Sequence, residues 1–439
     1  MRMTVIGTGY VGTVHAACMA AMGHEVLGID VDADRIASLA AGRAPIREAG
    51  LDELLARTVK SGRLRFSTSL AEGAAFTRTH FVCVGTPQRP DGEAADLRCV
   101  DAVTDELARH LRPGSLVVGK STVPVGTAAR LGRRIAAVVP DAEVAWNPEF
   151  LREGSAVQDS MRPERIVVGV TSAHAEATLR TLYTPLLRAG AVFFSTDTAT
   201  AELVKVAANS FLATKISFIN AMAEVCDAAG ADVTVLAAAV GADSRIGELF
   251  LEPGLGFGGS CFPKDIRAFA ARAEEIGAGE AVAFLHEVDR INTRQRERTV
   301  SRARRLVGGS FADRRVAVLG ASFKPGSDDV RDSPSLAVAA SMAREGATVR
   351  VHDPQALDNA RAALPDPTYT LDIPKACEQA DLVLHLTPWP EYQQIDPRAL
   401  VPVVRHPVLL DARNSLDARP WRAAGWSLHA LGDPTGGTS

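Results

Sequence analysis

The opening of the chain restricts its fold more than any other stretch. The apolar run Arg2-Met3-Thr4-Val5-Ile6 passes without a gap into Gly7-Thr8-Gly9-Tyr10-Val11-Gly12, a helix-like stretch from Thr13 to Met22 ends at Gly23, and His24–Asp30 reads as a second strand with a carboxylate at its tip. A G-x-G-x-x-G with a strand before it, a helix after it and an acid about twenty residues on predicts a strand–helix–strand unit that binds a dinucleotide. Its glycines let the chain turn tightly and bring a helix N-terminus, with unpaired N–H groups, against a pyrophosphate. Asp30 is placed to accept hydrogen bonds from ribose hydroxyls and to repel a 2′-phosphate, which favours NAD over NADP. Arg35 has two readings, a cover for the adenosine or a solvated helix arginine, and both stay open.

A chain of 439 residues, 46% hydrophobic and 23% charged, is too long for one core and predicts two or three domains. The net charge of -4 argues against nucleic acid as a partner. Six cysteines at positions 18, 83, 99, 226, 261 and 377 include no C-x-x-C pair, so neither a metal site nor a redox dithiol is expected and a reduced, cytoplasmic setting fits. No charged n-region with an h-region opens the chain and no apolar run is long enough to span a bilayer, so no membrane association is expected.

Further along, Phe81–Pro87 and Leu116–Pro124 each read as a buried strand breaking into a small-residue turn, the pattern of a parallel sheet with crossover helices. Ligands sit at the carboxyl ends of such strands, which points Thr86 and Thr122 toward a cofactor cleft; the plain alternative for each is a turn or cap hydroxyl. The loop Trp146–Gly154 follows a strand at 142–145 and carries Glu149, Arg152 and Glu153, able to serve catalysis and a phosphate or merely to decorate a surface. Residues 166–170 and 191–194 close the first sheet. From Thr198 to Ala229 apolar residues recur at three- and four-residue spacing with no proline, predicting a long helix. Lys205 and Asn209 share one of its faces, as an oxyanion clamp or as an ordinary snorkelling lysine beside a satisfied asparagine. Helical composition continues through 232–242 and from Asp265 to about Arg296.

Between them lies Gly256-Phe257-Gly258-Gly259-Ser260-Cys261-Phe262-Pro263-Lys264-Asp265, where small residues precede a thiol and a lysine and a carboxylate follow it. Backbone can approach a ligand closely there, a setting for a nucleophilic cysteine, although a small buried thiol is the common case. Arg315–Gly320, a turn, a helix from Ser335 to Arg344 and Thr348–Asp353 then repeat the order strand, turn, helix, strand, acid, without the triple-glycine fingerprint. Strands follow at 382–386 and 408–411, and Gly432–Ser439 reads as a frayed tail.

The motifs GTGYVG, VCVGTP, STVPVGT, NPEFLREG, ELVKVAANSF, GFGGSCFPKD and SFKPGSDDVRDSP together resemble the UDP-glucose/GDP-mannose dehydrogenase family from Gly7 to about Asp353. The stretch Arg245-Ile246-Gly247 with Phe250-Leu251-Glu252-Pro253-Gly254 is similar to its UDP-glucose members. The resemblance implies a four-electron oxidation of the sugar's sixth carbon from alcohol to carboxylate, with two NAD and one water. It makes Cys261 the nucleophile of a thiohemiacetal and then a thioester, Lys205 and Asn209 the alkoxide-stabilising pair, Asp265 and Thr122 a pair associated with a water, and Glu149 an acid/base. By position it gives the sugar nucleotide Glu149, Phe150, Leu151, Arg152, Glu153, Lys205, Asn209, Phe250, Leu251, Glu252, Pro253, Gly254, Gly258 and Lys324. It gives NAD Gly7, Gly9, Tyr10, Val11, Gly12, Asp30, Arg35, Thr86, Thr122, Glu153, Lys264 and Arg331. Arg245 resembles an arginine that reaches substrate on a neighbouring subunit, implying a homodimer on the long helix.

Two positions depart from the family pattern, Ala221 where a glutamate is usual and Asp328 at a site often uncharged, and both bear on local contacts or substrate preference. The expected architecture is two Rossmann-like doubly wound sheets joined by a central helical domain: 1–196 for NAD, 197–296 for dimerisation and catalysis, 297–439 for the UDP-sugar. Oxidation of a UDP-N-acetylhexosamine or of GDP-mannose, a two-electron hydroxyacid-type dehydrogenase and a non-enzymatic NAD sensor are the rival readings.

Overall fold

The computed structural model describes residues 1–433 of the chain. It packs as two units, one of Met1–Ala208 with Arg267–Gly279, the other of Asn209–Ile266 with Glu280 onward.

The first unit is built on an eight-stranded sheet of β1 (Arg2–Ile6), β2 (Glu25–Ile29), β3 (Leu64–Ser67), β4 (Thr79–Val82), β5 (Leu116–Gly119), β6 (Glu143–Trp146), β7 (Arg165–Gly169) and β8 (Val192–Thr196). Their order is β3-β2-β1-β4-β5-β6-β7-β8. Every pairing is parallel except β6 with β7, which meet at Trp146 and Gly169. Successive residues of the central strands feed opposite faces: Met3, Val5, Phe81 and Val118 join one buried apolar layer, Ile6, Val82 and Val117 the other. A sheet covered on both sides needs continuous apolar strands, which is why these read as runs and not as alternation. The order reverses between β1 and β4, and the crevice outside the carboxyl ends at that switch is where such sheets bind ligands.

The second unit repeats the plan with β9 (Arg315–Leu319), β10 (Thr348–His352), β11 (Thr368–Thr370), β12 (Leu382–His385), β13 (Val408–Asp411) and β14 (Ser427–Ala430). All are parallel in the order β11-β10-β9-β12-β13-β14. The long helix runs from Thr198 to Ala229 as its periodicity predicts, and its residues fall in both units. The two doubly wound sheets and this helix are the expected fold class.

The helical composition from Asp265 to about Arg296 takes the form of Phe262–Glu275, Gly279–Val282 and Phe284–Leu306, with Gly277 turning back at φ 78° between the first two. Two expectations need correcting. The first helix starts at Tyr10, inside the glycine motif, and not at Thr13. Gly432, read as the start of a frayed tail, is pinned: its N–H donates to Asp227 Oδ1 at 3.0 Å and its carbonyl accepts from Val233 N–H. The rest of that expected tail, residues 434–439, lies outside the described residues.

Candidate active site

The glycine turn of the first unit has the geometry a diphosphate needs. Gly7 sits at φ 88° and donates its N–H to Ile29 O at 2.8 Å, tying the end of β1 to the end of β2. A Cβ on Gly12 would lie 1.8 Å from the carbonyl oxygen of Gly7, so only glycine allows helix and strand to approach this closely. Gly9 caps the helix Tyr10–Ala21 with no side-chain hydrogen bond, and a Cβ there would meet nothing within 4 Å. The first-turn N–H groups are thus left to an outside anion, and the residues present fit the pyrophosphate of NAD.

Asp30 is held rigidly at the tip of β2. Its Oδ2 accepts from Thr8 N–H at 2.7 Å and Thr8 Oγ1 at 3.1 Å, and its Oδ1 accepts from Asp32 N–H at 3.1 Å. Burial works to raise this carboxyl, but the Asp32 and Thr8 N–H groups and Arg35 outweigh it and leave it below the usual range. Arg35 reaches Asp30 at 3.0 Å and Asp32 at 3.3 Å with its side chain 35% exposed. Between those acids Val31 is 89% exposed, an apolar platform that the sequence reading passed over because a lone strand-end valine carries no signal. Tyr10 donates its hydroxyl to Glu48, whose carboxylate also accepts from Gly154 N–H at 2.7 Å and Ala156 N–H at 2.8 Å. Glu48 therefore stitches the glycine turn to the loop after β6; it too was missed, being one acid in a loop without a motif.

The turns after β4 and β5 are joined as well. Thr86 donates to the carbonyl of Thr122 at 2.7 Å and Ser121 to that of Val84 at 2.6 Å. Thr86 thus acts as a turn hydroxyl that positions Thr122. The Glu202 carboxylate on the long helix accepts from Gly126 and Ala128 N–H at 2.7 and 2.6 Å, fastening the Thr122 turn to that helix; burial raises it to about 7 against those bonds and against Arg272.

One turn along from Glu202, Lys205 forms an ion pair with Glu149 at 3.0 Å, with the two side chains only 6% and 8% exposed. The other Glu149 oxygen accepts from Leu151 N–H at 2.8 Å, and the Phe150 ring lies under Arg165 at 4.3 Å and Lys205 at 5.8 Å. An ammonium and a carboxylate shielded from water interact strongly and are poised for proton and charge work. Arg152 is held by Asp159, which takes its guanidinium and N–H at 2.7 to 3.0 Å. Glu153 is half-buried between Arg152 and the pinned Gly154.

In the second unit Cys261 is exposed, and its carbonyl accepts from Asp265 N–H at 2.8 Å, which makes it the residue that opens the helix Phe262–Glu275. A sulfur at a helix N-terminus stands where negative charge is favoured. One turn on, Asp265 is 2% exposed and holds Asn209 Nδ2 at 2.7 Å and Lys264 Nζ at 2.5 Å. Lys264 is thereby paired with Asp265, and the Asn209 amide is oriented by the same carboxylate. Gly258 cannot be replaced, since a Cβ would lie 2.3 Å from Asp332 O. Phe250 adopts φ 66°, and its ring and that of Phe257 meet Phe262 at 6.2 and 5.8 Å. Gly254 N–H is held by Asn220 at 2.8 Å, with buried Leu251 and Pro253 beside exposed Glu252. Lys324 lies 5.7 Å over the ring of Phe323. Arg331 and Arg245 are exposed and fork onto their own neighbours Asp329 and Asp243.

Arg413 escaped the sequence reading. Its Nε donates to Leu386 O at 2.7 Å and its Nη1 to Gly256 O at 3.0 Å, while Nη2 is buried without a partner among the described residues. Burial pulls the guanidinium down to about 10 against the pull of Asp411. A lone arginine after a strand gives no motif, so only the fold reveals this donor beside the glycine-rich segment. Of the departures, Ala221 is half-buried on the long helix and Asp328 gives only its carbonyl, to Asn359.

Three family models match in sequence. The NAD binding domain of the UDP-glucose/GDP-mannose dehydrogenase family covers residues 1–187, its central domain 199–294 and its UDP binding domain 317–418. The chain is 42% identical to the UDP-glucose 6-dehydrogenase of Pseudomonas aeruginosa, covering 100% of this chain and 98% of that protein, and 40% identical to TuaD of Bacillus subtilis, covering 99% and 93%. Among solved structures it resembles a UDP-glucose dehydrogenase from Pyrobaculum islandicum, with a TM-score of 0.89 and 40% identity over 98% of this chain and 96% of that one. The UDP-D-ManNAc dehydrogenase from Pyrococcus horikoshii follows with a TM-score of 0.87 and 25% identity over all of both chains. Turn, helix, thiol loop and second sheet thus recur together along the whole length, and the chain belongs to the UDP-glucose/GDP-mannose dehydrogenase family.

Proposed function

We propose that this chain is an NAD-dependent dehydrogenase that oxidises UDP-glucose to UDP-glucuronate at the sixth carbon of the sugar. The observation that carries the reading is the buried Lys205–Glu149 pair, one helical turn before Asn209, in a chain aligned end to end with UDP-glucose 6-dehydrogenases. Bound at the glycine turn, NAD would supply the hydride acceptor for each of the two oxidations.

Lys205 and Asn209 stabilise the alkoxide of the first oxidation and the oxyanions that follow, where a fixed charge away from water is worth several kcal/mol. Cys261 Sγ attacks the aldehyde carbon, the carbonyl oxygen takes up a proton, and the resulting thiohemiacetal loses hydride and proton to become a thioester. Water, activated near Asp265 and Thr122 with Glu149 as acid/base, adds to the thioester. The carbon–sulfur bond breaks, the carboxylate leaves, and the sulfur is restored.

Gly7, Gly9, Tyr10, Val11, Gly12, Asp30, Arg35, Thr86, Thr122, Glu153, Lys264 and Arg331 serve NAD. The loop 149–153, residues 250–254, Gly258, Lys324 and Arg413 serve the sugar nucleotide. On this reading residues 1–196 bind NAD, 197–296 supply the helix and thiol, and 297–439 hold the UDP group. A homodimer on the long helix accounts for Phe211, Phe218 and Val225, which are 67%, 48% and 55% exposed at seven-residue intervals on one face. Arg245, 87% exposed and paired with its neighbour Asp243, is the residue that would reach a partner's substrate. The cytoplasm suits six cysteines that form no disulfide, and among the described residues no helix is long and apolar enough to cross a membrane.

Counting NADH per sugar across UDP-glucose, UDP-N-acetylglucosamine and GDP-mannose tests the reading: two NADH per UDP-glucose are expected, and one would exclude the four-electron course. Cys261→Ser is expected to abolish net turnover or to trap an intermediate; full activity would rule out covalent catalysis.

A further inference from the structure

A second cation lies behind the Lys205–Glu149 pair, and none of the roles above uses it. Lys120 ends β5 with 9% exposure, and its Nζ donates to Asn147 Oδ1 at 3.0 Å. That oxygen also accepts from Tyr183 OH at 2.5 Å, while Asn147 Nδ2 donates to Val167 O at 2.7 Å and its N–H to Gly119 O at 2.8 Å. Asn147 is thus fixed on four sides, and it stands two residues before Glu149 with Pro148 between. Among the described residues no carboxylate lies within ion-pair distance of Lys120. A buried ammonium without a counterion costs several kcal/mol, and an apolar side chain of the same length would fill the space more favourably. Such a group is a functional candidate in its own right.

The groups that face it come from five elements. His15 on the first helix is held neutral by burial, with Lys120 and His24 adding to the effect. Cys83 after β4 is pushed up to about 12 by burial, and Tyr183 is raised as well, so both are neutral. The charges left are Glu149 on its loop and Lys205 on the long helix. Burial lowers Lys120 first; Glu149 opposes that and Lys205 reinforces it. The pocket therefore carries two ammonium groups against one carboxylate.

We propose that Lys120 is a positioning residue of the oxidation: it pins the Glu149 loop through Asn147 and adds a second positive charge that sets the protonation balance of the Lys205–Glu149 pair. This rests on the assignment of Lys205 and Glu149 above. A positive neighbour favours the ionised form of a carboxylate and makes an ammonium give up its proton more readily. Removing the charge moves both limbs of the pH–rate profile upward, by on the order of one pH unit for a partly buried neighbour.

The experiment compares wild-type protein with Lys120→Met, Lys120→Gln and Tyr183→Phe, measuring kcat for UDP-glucose from pH 5 to 10 and thermal midpoints alongside. Lys120→Met and Lys120→Gln are expected to shift both limbs upward and to lower kcat at neutral pH about tenfold, with the midpoint unchanged or higher. Tyr183→Phe keeps the charge and is expected to leave the limbs in place. Limbs that coincide with wild type in either folded lysine variant overturn the proposal, as does Tyr183→Phe shifting them equally. Where Lys120→Met does not fold, Lys120→Gln decides alone, since its amide still donates to Asn147. A wild-type protein that reduces no NAD with any sugar nucleotide overturns the assignment of the site, and this inference with it; unmoved limbs in an active protein overturn this inference only.

Discussion

The two sheets carry the same device and put it to opposite uses. In each, a glycine with positive φ after the first strand donates its N–H to the last carbonyl of the second: Gly7 to Ile29 at 2.8 Å, Gly320 to His352 at 2.7 Å. In each, the acid at the tip of the second strand gathers the N–H groups and hydroxyl of that turn, Asp30 from Thr8 and Asp353 from Ala321 and Ser322. The first turn then leads at once into a helix capped by bare Gly9, and its acid is covered only by the half-buried Arg35. The second wanders from Ala321 to Ser333 before its helix, Ser333 supplies a side-chain cap to Leu336 N–H, and Trp389 Nε1 closes over Asp353 at 3.0 Å. The difference teaches that the turn and acid are a structural latch first. They become a dinucleotide site only where the helix end is left without a side-chain cap and no buried indole seals the acid.

The largest expected break comes at the closed latch. Asp353→Ala strands six donors, the N–H groups of Ala321, Ser322, Gln355 and Ala356, the Ser322 hydroxyl and the Trp389 indole. A loss of about 4 kcal/mol of stability is expected in urea unfolding, with NAD affinity of the folded fraction unchanged. A variant of wild-type stability would show that the second latch carries no load. At the open latch the cost moves from stability to ligand: Asp30→Ala is expected to raise KM for NAD roughly tenfold to hundredfold and to narrow the preference over NADP, with a smaller stability loss than Asp353→Ala. Steady-state kinetics with both cofactors checks it, and an unchanged KM would erase the distinction between the latches. The smallest effect sharpens the contrast at the helix ends. Ser333→Ala is expected to cost about 1 kcal/mol in the same unfolding measurement and nothing in turnover.

Much of this was legible because the signals were local. The glycine turn, the thiol loop and the long helix each declare themselves within a few turns of chain. Of the edge strands β8 was legible, but β3, β11 and β14 were not, being short and partly exposed with too few apolar residues to announce a sheet. Pairings were equally out of reach. Lys205 and Glu149 could be named from sequence, but 56 positions separate them, and only the fold makes them an ion pair. Arg413, Glu48, Lys120 and Glu202 are single charged residues whose usual reading is a solvated surface, so burial and partners alone single them out.

The distribution of sulfur has a further consequence. Four of the six thiols are buried, with burial pushing Cys18, Cys83 and Cys377 up to about 12, and only Cys99 and Cys261 reach the surface. Peroxide arriving from solvent is therefore expected to meet Cys99 and Cys261 before the four thiols that the cores enclose, so oxidation at the surface can precede any damage to the packing.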